Sequence, residues 1–226
     1  MGRTNYDLII FDCDGTLVDS EYLSNTVSSS LLNEFGLIEY TPENFMAEFM
    51  GHTWTDIRLT LEERHQTKLP DDLIERYIDG VNKKLETDLQ VVSGAKEFVD
   101  LCHQRTKICV GSNGQRSNVL KSLDIGGFTP EYFNDDTIFT RIQVLNGKPA
   151  PDLFFFAAEK MNVEPASCLV IEDSPTGVAA GVAAGMEVLG FVCTAHDPKV
   201  QEEKLQKAGA SAVFESFIHI REHLGY

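Results

Sequence analysis

Leu8-Ile9-Ile10-Phe11-Asp12-Cys13-Asp14-Gly15-Thr16-Leu17-Val18-Asp19 is the stretch that decides how this chain is read. Its first four residues are apolar and two are β-branched, the pattern of a short buried strand. Two carboxylates one residue apart close that strand, and Gly15-Thr16 follows at once. A buried strand does not end in two acids unless something cationic neutralises them, because an unpaired buried charge is expensive. A hard divalent cation with oxygen ligands meets that need, and Mg²⁺ is the usual choice where phosphate is handled. An acidic strand end running into a surface glycine turn has the same local sequence, so the rest of the chain must arbitrate. Strand alternation turns Cys13 away from both acids and makes it a small packing residue.

Beyond the strand a helix is predicted from Asp19-Ser20 to Gly36, with Leu23, Val27, Leu31, Leu32 and Phe35 at helical spacing. Further helices are predicted over 42–50, 53–65 and 71–86, each opened by a capping residue or a proline. No strand is predicted between 20 and 87, so residues 20–87 read as an all-helical cap domain inserted into a core of 1–19 and 88–226. The core alternates. Helices are predicted from 93 to 102 and over 115–123, 151–161, 175–184, 199–208 and 217–223. Strands are predicted over 107–111, 137–140, 168–171, 188–192 and 212–214. Such alternation defines an α/β fold, a Rossmann-like parallel sheet flanked by helices on both faces. Ligands of such sheets gather beyond the carboxyl ends of the strands, where Asp12 and Asp14 fall. Gly177, Gly181 and Gly185 form a small-residue stripe predicted to pack its helix closely on the sheet.

Bulk properties exclude several classes. The 226 residues carry a net charge of −16, which argues against binding a nucleic-acid backbone. A small anionic substrate, needing only a local positive site, stays open. Five cysteines are odd in number and lack a Cys-x-x-Cys pair, so neither a disulfide framework nor a zinc site is expected and a reducing cytoplasm fits. Arg3 is followed by no apolar signal region, Tyr6 breaks the myristoylation pattern begun by Met1-Gly2, and the apolar stretch 178–193 is too short to span a bilayer. No membrane, nucleic acid or obligate protein partner is expected.

Three more strand ends carry related chemistry. Ser112-Asn113-Gly114 offers a hydroxyl, an amide and backbone N–H donors to phosphate oxygens, although these are also ordinary turn residues. Gly147-Lys148-Pro149 positions one ammonium that can offset charge on a nucleophile and a phosphate, unless it is simply a solvated loop lysine. Ile171-Glu172-Asp173-Ser174-Pro175 ends a second apolar strand in paired acids. Helix capping accounts for Asp173 or Ser174 but not for both acids, and a second carboxylate for the metal explains them better.

Together and in this order, Asp12-x-Asp14-Gly-Thr, Ser112-Asn113-Gly, Gly-Lys148-Pro and Glu172-Asp173-Ser resemble the haloacid dehalogenase superfamily of phosphotransferases over essentially the whole chain. The similarity is greatest to the subgroup of β-phosphoglucomutase, phosphoglycolate phosphatase and 6-phosphogluconate phosphatase. The resemblance implies a Mg²⁺-dependent phosphatase of a small phosphorylated metabolite, a sugar or sugar-acid phosphate, acting through an aspartyl-phosphate. It makes Asp12 the nucleophile and a metal ligand, and Asp14 the general acid and base and a ligand through its backbone carbonyl. Asp173 is a further ligand and Glu172 a ligand or its outer acceptor, while Ser112, Asn113 and Lys148 bind the phosphoryl group. Asp14 argues against carbon–halogen hydrolysis, whose catalysts in the superfamily lack that acid. A mutase remains the alternative, weakened because Trp54 and Ser24 stand where β-phosphoglucomutase has a cap arginine and histidine. A non-catalytic phosphate-binding domain is the third reading, and the retention of Asp12, Asp14 and Lys148 counts against it. His52, Trp54, Arg58 and Lys84 are the cap candidates for substrate binding, each able instead to pack or to lie solvated.

Overall fold

The computed structural model describes residues 6–49, 52 and 54–226, with the backbone alone for Glu21. Met1, Gly2, Arg3, Met50 and Thr53, which the sequence reading used, lie outside them. The chain opens with β1 (Leu8–Phe11) and the two-residue β2 (Val18–Asp19). It continues through α1 (Glu21–Asn33), α2 (Pro42–Phe49), α3 (Trp54–His65) and α4 (Leu73–Asp88). There follow β3 (Gln90–Val91), α5 (Ala95–His103), β4 (Lys107–Ser112), α6 (Arg116–Ile125), β5 (Ile138–Thr140) and α7 (Asp152–Lys160). The last elements are β6 (Cys168–Glu172), α8 (Pro175–Ala183), β7 (Glu187–Phe191), α9 (Pro198–Ala208), β8 (Ala212–Phe214) and α10 (Phe217–Leu224).

The chain divides into two compact units, one of Met1–Asp19 with Gln90–Tyr226 and one of Ser20–Leu89. In the first, six parallel strands form one sheet in the order β5-β4-β1-β6-β7-β8. The expected α/β architecture is therefore present. Leu8 pairs in register with Lys107 on one side and Cys168 on the other, which centres β1 between β4 and β6. Alternation along β1 explains how both faces are covered. Leu8 and Ile10 join Phe154, Val178 and Leu205 from α7, α8 and α9. Phe11 meets Phe98 of α5, and that ring stacks on Phe217 of α10. Strand order reverses beside β1, where an open α/β sheet opens a crevice at its carboxyl edge.

β2 and β3 pair antiparallel where the chain leaves and re-enters this unit. Two residues are too few for any periodicity, so this ribbon was not foreseen. The glycine stripe needs one correction. An added Cβ at Gly177 or Gly181 would collide with Glu172 or Val188, which is close packing on the sheet. Gly185 meets nothing and holds φ +73 just beyond α8, the left-handed position of a helix end.

The helical unit has its own core of Leu31, Leu32, Tyr40, Phe45, Phe49, Ile57, Leu61 and Leu73, supplied by all four of its helices and the connection after α1. Its amphipathic stripes bury against one another, which lets four helices without a sheet hold a shape.

Candidate active site

Because β1, β4 and β6 are adjacent and parallel, the segments leaving their carboxyl ends emerge side by side. Asp12 follows β1, and its N–H donates to Ile171 O at 3.0 Å, extending the β1–β6 pairing to the acid itself. Ser112 ends β4, and Glu172 ends β6. Carboxylate oxygens of Asp12, Glu172 and Asp173 all lie within 4.8 Å of one another. All three residues are buried, at 6%, 1% and 8% exposure. Asp14 is outside this trio and partly exposed, its Oδ2 accepting a long 3.4 Å bond from Ser112 Oγ.

Lys148 supplies the cation. Its Nζ donates to Asp12 Oδ1 and to Glu172 Oε2, both at 2.6 Å, and lies 5.1 Å from the centroid of the Phe154 ring. Burial works against the ammonium, but the two carboxylates outweigh it and hold the Lys148 pKa above its ordinary value. The Asp12 pKa is raised as well, which for a carboxyl favours the neutral form. Burial and then the Glu172 charge raise its carboxyl well above the usual range, with Lys148 only partly compensating. One ammonium against three crowded acids leaves an excess of negative charge, and the donor set is all oxygen. That is the chemistry a hard divalent cation fits. Cys13 is fully buried, and burial lifts its thiol pKa well above the ordinary value, as suits a packing residue.

Glu172 is fully engaged. Its Oε2 takes Lys148, and its Oε1 accepts from Ser174 N at 3.1 Å and Ser174 Oγ at 2.7 Å. Ser174 in turn caps α8 by accepting from Gly177 N. Asn113 is also committed: its amide bonds the backbone of Lys148 at both ends. Gly15 has φ +84, and a Cβ there would stand 2.0 Å from Asp173 Oδ2, so only glycine lets the β1 loop pass this acid.

Two bracing residues were missed by sequence reading. Thr194 Oγ1 donates to Gly15 O at 2.8 Å, and Gln201 Nε2 donates to Asp173 O at 2.6 Å. Thr194 follows a parallel strand, which was a usable signal. Gln201 sits within an ordinary polar helix and gave none.

In the helical unit, Trp54 stacks on Phe45 with centroids 5.7 Å apart and meets Tyr77 at 4.7 Å. Arg58 donates to Glu62, to Leu69 O and to Asp71, and holds both carboxyls below their ordinary pKa. Lys84 pairs with Asp88 one turn on. His52 is exposed beside the Phe49 ring.

Comparison with known proteins shows the family. The haloacid dehalogenase-like hydrolase family profile matches residues 9–192. The 6-phosphogluconate phosphatase of Escherichia coli K12 is 30% identical over 200 residues, covering 88% of each chain. A haloacid dehalogenase-like protein of unknown function from Agrobacterium tumefaciens superposes with a TM-score of 0.82, at 32% identity and 98% coverage of both chains. A family hydrolase from Deinococcus radiodurans, solved with bound phosphate and sodium, superposes with a TM-score of 0.79 at 30% identity, covering 99% of this chain and 96% of its own. The chain belongs to the haloacid dehalogenase-like hydrolase family, and it is a phosphoric monoester hydrolase of that type.

Proposed function

We propose that this enzyme is a Mg²⁺-dependent phosphatase of small phosphorylated sugars or sugar acids that works through a phosphorylated Asp12. The observation that carries the reading is the buried contact of Lys148 Nζ with Asp12 Oδ1 and Glu172 Oε2 at 2.6 Å beside Asp173. An Asp12 oxygen attacks phosphorus while the ester P–O bond breaks and Asp14 delivers its proton to the leaving alkoxide. Asp14, now a carboxylate, takes a proton from water. That water attacks the phosphorus of the acyl phosphate, releasing inorganic phosphate and restoring Asp12. Ser112 and Lys148 hold the transferring group. Asp12 and Asp173 would hold Mg²⁺ with the Asp14 backbone carbonyl, and Glu172, already engaged by Lys148 and Ser174, serves as the acceptor that keeps Lys148 in place. A bound Mg²⁺ supplies charge neutralisation, allowing a carboxylate to approach a phosphate dianion.

Water rather than a second sugar is the acceptor. Trp54 occupies the place of the mutase arginine and packs between Phe45 and Tyr77, and Ser24 replaces the mutase histidine. Substrate choice is assigned to the inserted helical unit, residues 20–89, on the resemblance. Five unpaired cysteines, four of them buried, support a reducing cytoplasm.

The test is phosphate release from p-nitrophenyl phosphate and a metabolite panel, with Mg²⁺ or with EDTA. The panel includes 6-phosphogluconate and β-glucose 1-phosphate, the latter with its bisphosphate activator. Mg²⁺-dependent release, best from a sugar or sugar-acid phosphate, is expected. No release from any ester would overturn the reading, and conversion of glucose 1-phosphate to its isomer would replace it with the mutase.

A further inference from the structure

We propose that Asn113 is a positioning residue for Lys148 rather than a ligand of the substrate phosphate, and that Gly147 is the gap that lets it act. The inference rests on the phosphatase reading, in which Lys148 meets the transferring group. The Asn113 side chain forms a two-bond clamp: Oδ1 accepts from Lys148 N at 2.9 Å, and Nδ2 donates to Lys148 O at 2.9 Å. This is the pattern a neighbouring strand would make with one residue, supplied here by a single amide across 35 positions of sequence.

A lysine has four rotatable carbons between its backbone and its charge, so an ammonium held to a few tenths of an ångström requires both ends fixed. Asp12 and Glu172 fix Nζ, and the clamp fixes the backbone. Asn113 directly follows Ser112 of β4, so one rigid strand end places the phosphate-binding hydroxyl and also sets where the lysine begins. Close approach has a steric condition. A Cβ on Gly147 would stand 2.6 Å from Asn113 Oδ1 and 2.8 Å from Arg141 Cγ, so any side chain there drives the amide off Lys148.

The two residues can be tested from opposite sides. Asn113→Ala removes the clamp, while Gly147→Ala displaces it and leaves the amide in the protein. Each is expected to lower kcat for p-nitrophenyl phosphate by about 10- to 100-fold, the scale of a misplaced catalytic group, with a smaller change in KM. The double variant should be no worse than the poorer single, because both break one device. Amide hydrogen exchange at Lys148, followed by NMR, should quicken at least about tenfold in each variant while exchange in β1 and β6 is unchanged.

Unchanged exchange at Lys148 would overturn the clamp. Full activity in Gly147→Ala beside a crippled Asn113→Ala, or losses that multiply in the double variant, would overturn it too and make Asn113 a direct substrate contact. Wild-type turnover in Lys148→Ala would instead sink the phosphatase role of Lys148, and the proposal with it. That failure is recognisable by its own rate measurement, whereas exchange reports the clamp alone.

Discussion

Lys148 and Arg58 are both cations held by two carboxylates, and they differ in nearly every other respect. The partners of Lys148 are Asp12, 136 positions away, and Glu172, 24 away, and the three side chains are 2%, 8% and 1% exposed. The partners of Arg58 are Glu62, one helical turn on, and Asp71, which is 87% exposed. Arg58 and Glu62 are themselves 19% and 23% exposed, so this set keeps contact with water, where pairing costs less desolvation and contributes little. The α/β unit gathers its charges from the ends of β1 and β6 and, for Lys148, from the connection between β5 and α7 rather than the strand end the sequence suggested, and dries them. Such an arrangement is weak as a stabilising device but strong as a place for chemistry.

The largest expected effect lies in the buried set. Asp12→Asn should lower turnover at least about 1,000-fold while circular dichroism and the melting transition stay those of a folded protein. Activity near wild type would remove Asp12 from the nucleophile's role and erase the contrast drawn above. Lys148→Met should come next. It strands Asp12 and Glu172 without their counter-charge and should cost about 3–5 kcal/mol in metal-free buffer, read by denaturant titration, with part recovered on adding Mg²⁺. A loss no larger than that of a surface lysine would show that the buried triad is not coupled as its geometry implies.

Trp54 sharpens the comparison from the helical side. Its ring packs on Phe45 and Tyr77, so Trp54→Ala should cost about 2–3 kcal/mol of stability and leave kcat within about threefold. A collapse of kcat/KM at unchanged stability would make it a substrate residue instead. The smallest effects belong to Arg58→Ala and Lys84→Ala, each expected to move the melting temperature by no more than about 2 °C and the rate by less than about twofold. A large rate loss in either would place that cation on the substrate and break the division between the two units.

Much of this was legible in the chain. The apolar run Leu8–Phe11 ending in acids, and Cys168–Ile171 ending in Glu172-Asp173, marked two strand ends because alternation and composition are local properties. The helical block announced itself by spacing and by capping residues. Helix ends drifted by a residue or two: α4 runs Leu73–Asp88 where 71–86 was expected, since Asp72 at its start makes no side-chain capping bond. The β2–β3 ribbon had no periodicity to detect. Asn113 was legible as a polar residue at a strand end, but the partner its amide holds was not. Gln201 was invisible, because a glutamine in a polar helix has no distinguishing neighbour in sequence.

By itself, the order of residues determined which groups were available: acids after two strands, a hydroxyl and an amide after a third, and a lysine set between glycine and proline. It also settled that an α/β sheet would carry them, because hydrophobic period and turn residues act over a few positions. Tertiary structure alone decided which groups touch. The strand order β4-β1-β6 set Asp12 between Ser112 and Glu172, and from there Lys148 found its two carboxylates and Asn113 found the backbone of Lys148. Those contacts join residues 24 to 136 positions apart, and no local preference specifies a pairing at that range; the closing of the sheet does.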